Sequence, residues 1–327
     1  MMRRLLLTLL LSVSSTAMAA ETLTVYSGRN EKLVGPLLKK FTEKTGIEVK
    51  VRYGETPQLA ATLLEEGDKT PADVFFAQDA GALGALSNAG RLQALPKATL
   101  DKVDARFRSP TGQWVGVSGR ARVVAYNTKK VKAADLPDSI LGYTDAKWKG
   151  RLGWAPTNAS FQSFVTALRL LKGEDAAKQW LQGIQANGAR VYKNNAAIVE
   201  ALGRGEIDAG FVNHYYLYAA KKNNAELPVA NDFSAPGDPG ALVNVAGVAI
   251  LKDSKKQDAA RKFSAWMLEN DAQTYFSQET HEYPLVAGVK TAQDLPALSK
   301  VGSPDLDLSK LDDLRGTVKL LQDTGVL

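Results

Sequence analysis

Apolar residues follow an alternating order of strand-like and helix-like spacing from residue 22 onward. Three short apolar runs have the length of strands, and after each one apolar residues recur at the three- and four-residue spacing of a helix. The strand patterns cover residues 23–26, 47–51 and 72–77, and the helix patterns cover residues 33–41, 58–64 and 80–88. Pro36 lies inside the first helix pattern, so this helix either begins there or bends. The βαβαβ order predicts a parallel sheet with helices on both faces.

A long β-rich run at residues 113–127 separates these elements from a second set. Ser118, Gly119 and Arg120 interrupt this run, which we interpret as the crossing into a second lobe. Further helices are predicted after Ser160 and near residues 174–186, 195–203, 215–222, 257–268 and 311–322, with strands at 208–212 and 242–251. The pattern therefore predicts an α/β protein with two lobes.

Two α/β lobes joined by more than one β crossing predict a hinged clamshell that closes around a ligand held between the lobes. The first lobe is expected to comprise residues 20–118 and about 238–285, and the second lobe residues 119–237 and about 286–327. In such sheets ligands bind beyond the carboxyl ends of the strands. The polar residues at 27–31 and 78–79 occupy that position in the first lobe.

The first 19 residues have the pattern of a cleaved signal peptide. Arg3 and Arg4 precede a mostly apolar stretch at residues 5–13, and small residues at Ala17 and Ala19 favour cleavage after Ala19. The stretch is too short to remain as a transmembrane anchor, and the chain has no cysteine that could carry a lipid. We therefore expect a soluble, monomeric periplasmic protein with no direct membrane anchor.

Composition narrows the chemistry of the ligand. About 307 residues remain after cleavage, which is enough for two domains without disulfides. The absence of cysteine excludes thiolate metal sites. The net charge of the chain is +6, and removal of Arg3 and Arg4 with the signal peptide lowers it by two. The basic residues of the mature chain are dispersed among acidic ones, which argues against nucleic-acid binding. A mild positive charge suits an anion, or a metal bound together with an anion.

The candidate site centres on the run Asn213-His214-Tyr215-Tyr216, which follows a buried strand pattern. Phenolates are hard oxygen donors that suit ferric iron. Adjacent residues of a regular helix point about 100° apart, so the two tyrosines converge only where a strand turns into a helix. Asn213 is predicted to cap that helix. The partial positive charge at the N-terminus of the helix favours the phenolate form of the tyrosines. Tyr218 is expected to pack rather than to bind.

Several motifs in this order resemble the periplasmic ferric-ion-binding proteins that feed iron to ABC importers. The motifs are residues 25–29, 71–76, 118–123, 205–209, 213–216 and 238–242. The resemblance spans the mature chain and implies the two-lobed clamshell of periplasmic binding proteins. It implies that Tyr215 and Tyr216 bind Fe(III) and that the partners are an ABC permease and its ATPase.

The resemblance also shows where this chain departs from the family. Members often add a histidine at the position of Asn30 and a glutamate at the position of Gln78, and others add a third tyrosine at the position of Asn158. The departures imply that a co-bound anion (carbonate, phosphate or citrate), water, or a substitute carboxylate from Asp79 or Glu31 completes the coordination.

Other polar residues are candidates for the cleft, and each has a structural alternative. Asn158, Ser160 and Asn194 stand at helix starts, where they either present an anion site or simply cap the helix. Arg120 and Arg122 share one strand face, where they hold an anion or form an ion pair near the hinge.

The two candidate carboxylates also have alternatives. Asp79 either binds metal or caps the next helix, and Glu31 either binds metal or is an acidic first-turn residue. His214 is expected to point away from Tyr215, and His281 to be structural.

Two other functions stay open at this point. The same fold could carry a metal-free solute such as a phosphonate, a polyamine or another anion or organic cation. A hydrolase acting on phosphate esters is the enzyme alternative, but the sequence has no catalytic motif that favours it, and we expect no enzyme.

Overall fold

The computed structural model describes residues 21–292 and 294–327. The predicted signal peptide lies outside these residues. The strands are β1 Thr22–Ser27, β2 Glu48–Tyr53, β3 Val74–Ala77, β4 Leu92–Gln93, β5 Val115–Asn127, β6 Leu152–Trp154, β7 Arg190–Val191, β8 Ala209–Asn213, β9 Val229–Asp232, β10 Val243–Leu251 and β11 Tyr283–Pro284. The helices are α1 Glu31–Thr45, α2 Thr56–Glu66, α3 Ala80–Asn88, α4 Lys97–Leu100, α5 Ala159–Lys172, α6 Glu174–Ala186, α7 Asn195–Gly203, α8 Tyr215–Lys221, α9 Gln257–Trp266, α10 Asn270–Gln278, α11 Leu298–Val301 and α12 Leu314–Asp323.

One strand, β5, belongs to both halves of the sheet. The main strand order is β2-β1-β3-β10-β5-β8-β6-β7. The first half of β5 pairs with β10, and its second half pairs with β8 and β9. Strands β1, β2 and β3 are parallel, as are β6, β7 and β8. The predicted α/β class is therefore confirmed.

The predicted interruption at Ser118, Gly119 and Arg120 is wrong, because β5 runs through all three residues. Gly119 pairs with Val245 of β10 on one side and with Tyr283 of β11 on the other. A Cβ atom at Gly119 would lie 3.1 Å from Cβ of Tyr283. The glycine therefore allows a close approach of β11 rather than a break in the strand.

Three clusters of buried side chains form the cores. The first cluster surrounds β1, β3 and β10, whereas the second and third lie on the two faces of the sheet formed by β6, β8 and the end of β5. We call the elements around the first cluster the first lobe and those around the other two the second lobe. The segment from Ala292 to Leu311, which the sequence analysis assigned to the second lobe, packs in the first cluster. The other lobe boundaries stay a proposal.

The C-terminal segment contacts both lobes. Backbone oxygens of Ser309 and Leu311 lie against Gly84 and Gly81 of α3, where an added Cβ would come within 2.3 Å of either oxygen. On the other side α12 packs on α5, where Thr317 Oγ1 lies 2.7 Å from Thr166 Oγ1. The chain end therefore spans the junction between the lobes.

Helix α1 begins at Glu31, so Pro36 lies inside the helix and not at its start. The Asn30 side chain accepts a hydrogen bond from the Lys32 N–H and caps the helix. None of the helices in the described part of the chain combines the length and apolar character that a membrane crossing requires.

Candidate functional site

A cleft of about 740 Å³ lies where the two lobes meet. Both lobes supply its walls. The first lobe contributes Gly28 to Leu33, Tyr53, Gly54, Glu55, Gln58 and Gln78, and the second lobe contributes Asn158, Ala159, Asn194, Tyr215 and Tyr216. The starts of α1, α2, α5, α7 and α8 border the cleft, so the positive ends of five helix dipoles lie beside it.

The tyrosine pair stands at the transition from β8 to α8. His214 already has helical dihedrals, with φ −55° and ψ −39°, so the chain turns into the helix one residue before Tyr215. The rings of Tyr215 and Tyr216 stack with centroids 4.5 Å apart and planes inclined by 27°. Both rings therefore project to the same side and reach the cleft together.

Asn213 does not cap α8, contrary to the sequence prediction. It is the last residue of β8, and its backbone N–H donates to Oδ1 of Asn195 at 2.9 Å. Its Oδ1 accepts from Nη1 of Arg122 at 3.0 Å, and its Nδ2 donates to Oγ of Ser160 at 3.2 Å. Strand pairing fixes Asn213 one residue too early for a cap, and its side chain supports the wall behind the tyrosines.

His214 is fully buried and its two ring nitrogens are both engaged. Nδ1 accepts from the Ala121 N–H at 3.1 Å, and Nε2 donates to the His281 carbonyl at 2.7 Å. Burial lowers the pKa of His214 to about 4. The neutral ring therefore links β5 to the segment before β11 and has no free lone pair for a metal.

Three predicted anion residues are engaged in helix starts. Asn158 Oδ1 accepts from the Ser160 N–H at 3.1 Å and from Nδ2 of Asn195 at the same distance. Asn194 caps α7 through the Ala197 N–H. Asn158 and Asn194 line the cleft, whereas Ser160 lies behind it and accepts from Gln78 Nε2 at 3.4 Å across the lobes. Sequence reasoning missed Asn195, whose side chain joins α5, α7 and β8.

Arg120 and Arg122 are buried but are not among the residues that line the cleft. Arg120 donates to the Gln78 carbonyl, and its Nε and Nη1 have no hydrogen-bond partner in the described part of the chain. Arg122 lies over the Phe164 ring at 5.5 Å. Burial and then the charge of Arg120 lower the pKa of Arg122 to about 9. The two guanidinium groups place positive charge behind the tyrosines instead of presenting it directly to a ligand.

The two candidate carboxylates occupy different surroundings. Asp79 is 1% exposed and caps α3 by accepting from the Ala82 N–H at 3.3 Å. Burial raises the pKa of Asp79, and Arg120 opposes that shift. Asp79 is not a cleft-lining residue, so the structure favours the capping alternative over metal binding. Glu31 is exposed at the start of α1 and lines the cleft.

Sequence reasoning also missed the role of Glu282. Its Oε1 accepts from Nη2 of Arg29, and its Oε2 accepts from Oγ of Ser118 at 2.7 Å. Arg29 is 2% exposed and Glu282 is fully buried, so this ion pair lies inside the junction of the lobes. Only the position of Arg29 directly after the first strand hinted at a site residue.

The tyrosines are the main hard donors that converge in the cleft. The described residues contain no group of three or more His, Cys, Asp or Glu side chains that could hold a metal ion. The neighbouring Tyr215 and burial raise the pKa of Tyr216 well above its usual value, while Arg120 and Arg29 act in the opposite direction. A cation that binds here must therefore displace phenol protons.

Comparisons with known proteins agree with this geometry. The model of the bacterial extracellular solute-binding protein family matches residues 37–301. The major ferric iron-binding protein of Neisseria meningitidis is 35% identical over 328 residues, which cover 99% of this chain and 98% of that protein. Iron-bound HitA from Pseudomonas aeruginosa matches with a TM-score of 0.88 and 37% identity, covering 93% of this chain and 99% of that one.

A further solved structure is FutA from Trichodesmium in complex with iron and citrate. It matches with a TM-score of 0.81 and 31% identity, again over 93% of this chain and 99% of that one. These likenesses confirm the predicted two-lobed binding-protein fold.

Proposed function

We propose that this chain, which belongs to the bacterial extracellular solute-binding proteins, captures Fe(III) in the periplasm and delivers it to an ABC importer. The observation that carries the proposal is the stacked pair of Tyr215 and Tyr216, which reaches a cleft shared by both lobes. The names of the similar proteins, which bind ferric iron, support the same cargo.

In the proposed complex both phenolates bind iron from the second lobe. Of the two carboxylates predicted from the sequence, Glu31 is the one that lines the cleft from the first lobe, and Glu55 is a second exposed carboxylate on the same wall. Gln78 lines the same wall and offers an amide oxygen, which is a weaker donor for a ferric ion, whereas the amide oxygen of Asn30 already caps α1. Asp79 is not a proposed ligand, because its carboxylate caps α3.

A co-bound anion would complete the coordination. The starts of α5 and α7 border the cleft at Asn158 and Asn194, and helix starts attract anions. Arg120 and Arg122 add positive charge behind this wall. Carbonate, phosphate and citrate all fit this chemistry, and one similar protein has been solved with iron and citrate.

Family membership also supports a role in transport and the proposed transport partners. Extracellular solute-binding proteins are transport proteins, so we assign this chain no catalytic role. The proposed partners are a membrane permease and its cytoplasmic ATPase.

The proposal is tested by titrating the metal-free protein with ferric citrate and recording the visible spectrum. Phenolate-to-iron charge transfer should colour the wild type, and Tyr215→Phe and Tyr216→Phe should each weaken or abolish the band. Tyr218→Phe is the matched control, because Tyr218 donates to the Asp294 carbonyl and does not line the cleft. A wild type without a band at stoichiometric iron would rule out the ferric assignment.

A metal-free anion is the second candidate cargo. It is favoured by the unpartnered Nε and Nη1 of Arg120 and by the lack of a histidine or carboxylate cluster among the described residues. A phosphonate or organic anion that raised the melting temperature equally in wild type and in Tyr216→Phe would support this alternative.

A further inference from the structure

We propose that Arg29 is an interlobe latch, a positioning residue that holds the first lobe against the iron-loaded tyrosine pair of the second. The inference rests on the proposed function. Arg29 follows β1 of the first lobe and lines the same cleft as Tyr215 and Tyr216. It therefore faces the ligand pair from the opposite lobe.

The backbone of Arg29 is fixed at the end of β1. Its N–H and its carbonyl both lie 3.1 Å from Oγ of Ser27, which is the last residue of that strand. The residue is 2% exposed, so its guanidinium cannot turn out into solvent without opening the cleft. A short, buried loop of this kind sets the direction of the side chain.

The side chain of Arg29 is anchored at the crossing between the lobes. Its Nη2 donates to Glu282, whose other carboxylate oxygen accepts from Ser118 of β5 at 2.7 Å. Glu282 immediately precedes β11, which pairs with β5 through Pro284 and Ser118. The guanidinium is thus held by the strand that runs through both lobes.

The free part of the guanidinium is available to the tyrosines. Arg29 Nε is buried and has no hydrogen-bond partner in the described residues. Burial lowers the pKa of Arg29, but the buried carboxylate of Glu282 opposes this shift and raises the pKa overall. Arg29 lines the same cleft as both tyrosines, so its unpaired Nε is available to the loaded site.

Iron loading changes the charge that faces Arg29. Two phenolates and a dianion carry four negative charges against the three positive charges of ferric iron, so the loaded site is anionic. Attraction between this site and Arg29 is strong in a buried junction with little water. The contact between the lobes therefore strengthens only when iron and its anion are both bound.

The test compares the rate at which iron is lost from four variants. Arg29→Gln removes the charge, Arg29→Lys keeps it, and Arg29→Gln/Glu282→Gln removes both members of the ion pair. Arg261→Gln is the matched control, because Arg261 pairs with Asp258 on α9 and does not line the cleft. Each iron-loaded protein is mixed with excess ethylenediaminetetraacetate, and decay of the charge-transfer band is followed.

We expect Arg29→Gln to keep the band, because both phenolate ligands are intact, but to release iron about 10- to 100-fold faster than wild type. Arg29→Lys should restore most of the slow release, and Arg261→Gln should behave as wild type. Small-angle scattering should show a smaller iron-induced compaction in Arg29→Gln. Phosphate or citrate should slow release in wild type more than in Arg29→Gln.

The outcomes separate the latch from the function on which it rests. Arg29→Gln leaves Glu282 unpaired and could fail to fold for that reason. In that case Arg29→Gln/Glu282→Gln is measured instead, and we expect it to release iron equally fast. Wild-type release rates in whichever of these two variants folds would overturn the latch while leaving the iron site intact. Loss or a large shift of the band would overturn it as well, because Arg29 would then act on the ligands themselves. If wild-type protein shows no charge-transfer band with iron, the proposed function itself is wrong, and the latch is then not at issue.

Discussion

The two walls of the cleft differ in how firmly their side chains are held. On the second lobe, Asn195, Asn213 and Ser160 form a buried hydrogen-bonded network behind the tyrosines. On the first lobe, Asn30 and Glu31 are exposed residues at the start of α1. The difference suggests a division of roles in which the second lobe is organised before iron arrives and the first lobe completes the site on closure. Preorganised ligands cost less to order on binding.

The largest expected effect is the release of protons from Tyr215 and Tyr216, on the second-lobe wall of the cleft, when iron binds. Coordination by two phenolates requires iron to displace one proton from each phenol. Affinity for iron should therefore rise with pH by about 100-fold per pH unit in the range where two protons are displaced. Calorimetry with ferric citrate in buffers of different ionisation enthalpy measures the protons released. Wild type should release about one proton more per iron than Tyr216→Phe. Equal proton release in the two proteins would mean that Tyr216 does not bind iron as phenolate.

The next effect tests whether Asn195 stabilises the hydrogen-bonded network behind the tyrosines on the second lobe. Asn195→Ala removes one donor to Asn158 and leaves the buried Asn213 N–H without an acceptor. The free energy of unfolding should fall by about 1–3 kcal/mol, and iron affinity should fall with it. Chemical denaturation of the metal-free protein measures the first quantity. The exposed Asn224→Ala is the matched control, and an Asn195→Ala protein as stable as that control would contradict the role of the network.

The smallest effect distinguishes the two carboxylates of the first lobe. Glu31→Gln should weaken iron binding by about tenfold, because a charged ligand is replaced by a neutral amide. Asp79→Asn should change iron affinity by less than about twofold, since asparagine caps a helix about as well as aspartate. Competition with citrate measures both affinities. A larger loss of affinity in Asp79→Asn than in Glu31→Gln would show that Asp79, and not Glu31, binds the metal.

The sequence predicted most of the helices and strands because their hydrophobic periodicity is strong and local. The family was also predicted correctly, and so was the convergence of Tyr215 and Tyr216 at a strand-to-helix transition. The errors have a common cause. Whether Asn213 caps a helix or ends a strand depends on its pairing with Arg122, and whether Gly119 breaks β5 depends on β10 and β11. Pairing partners of this kind lie outside any local pattern.

The buried ion pair could not be predicted from spacing. Arg29 and Glu282 are 253 positions apart in the chain. Arg29 falls among residues 27–31, which the sequence places at the ligand-binding edge, but nothing near Glu282 in the sequence marks it as the partner. Only the fold shows that both residues are enclosed at the junction of the lobes and that Ser118 also donates to Glu282.

The position of the chain end has a consequence for the order of folding. The segment at Ser309 and Leu311 fits against glycines of α3, and α12 fits against α5, so the packing of both lobes is incomplete until this segment docks. These contacts join parts of the chain that are far apart in sequence, which makes their formation slow relative to local folding. The cleft between the lobes would thus reach its final geometry only after residues 309–323 have packed.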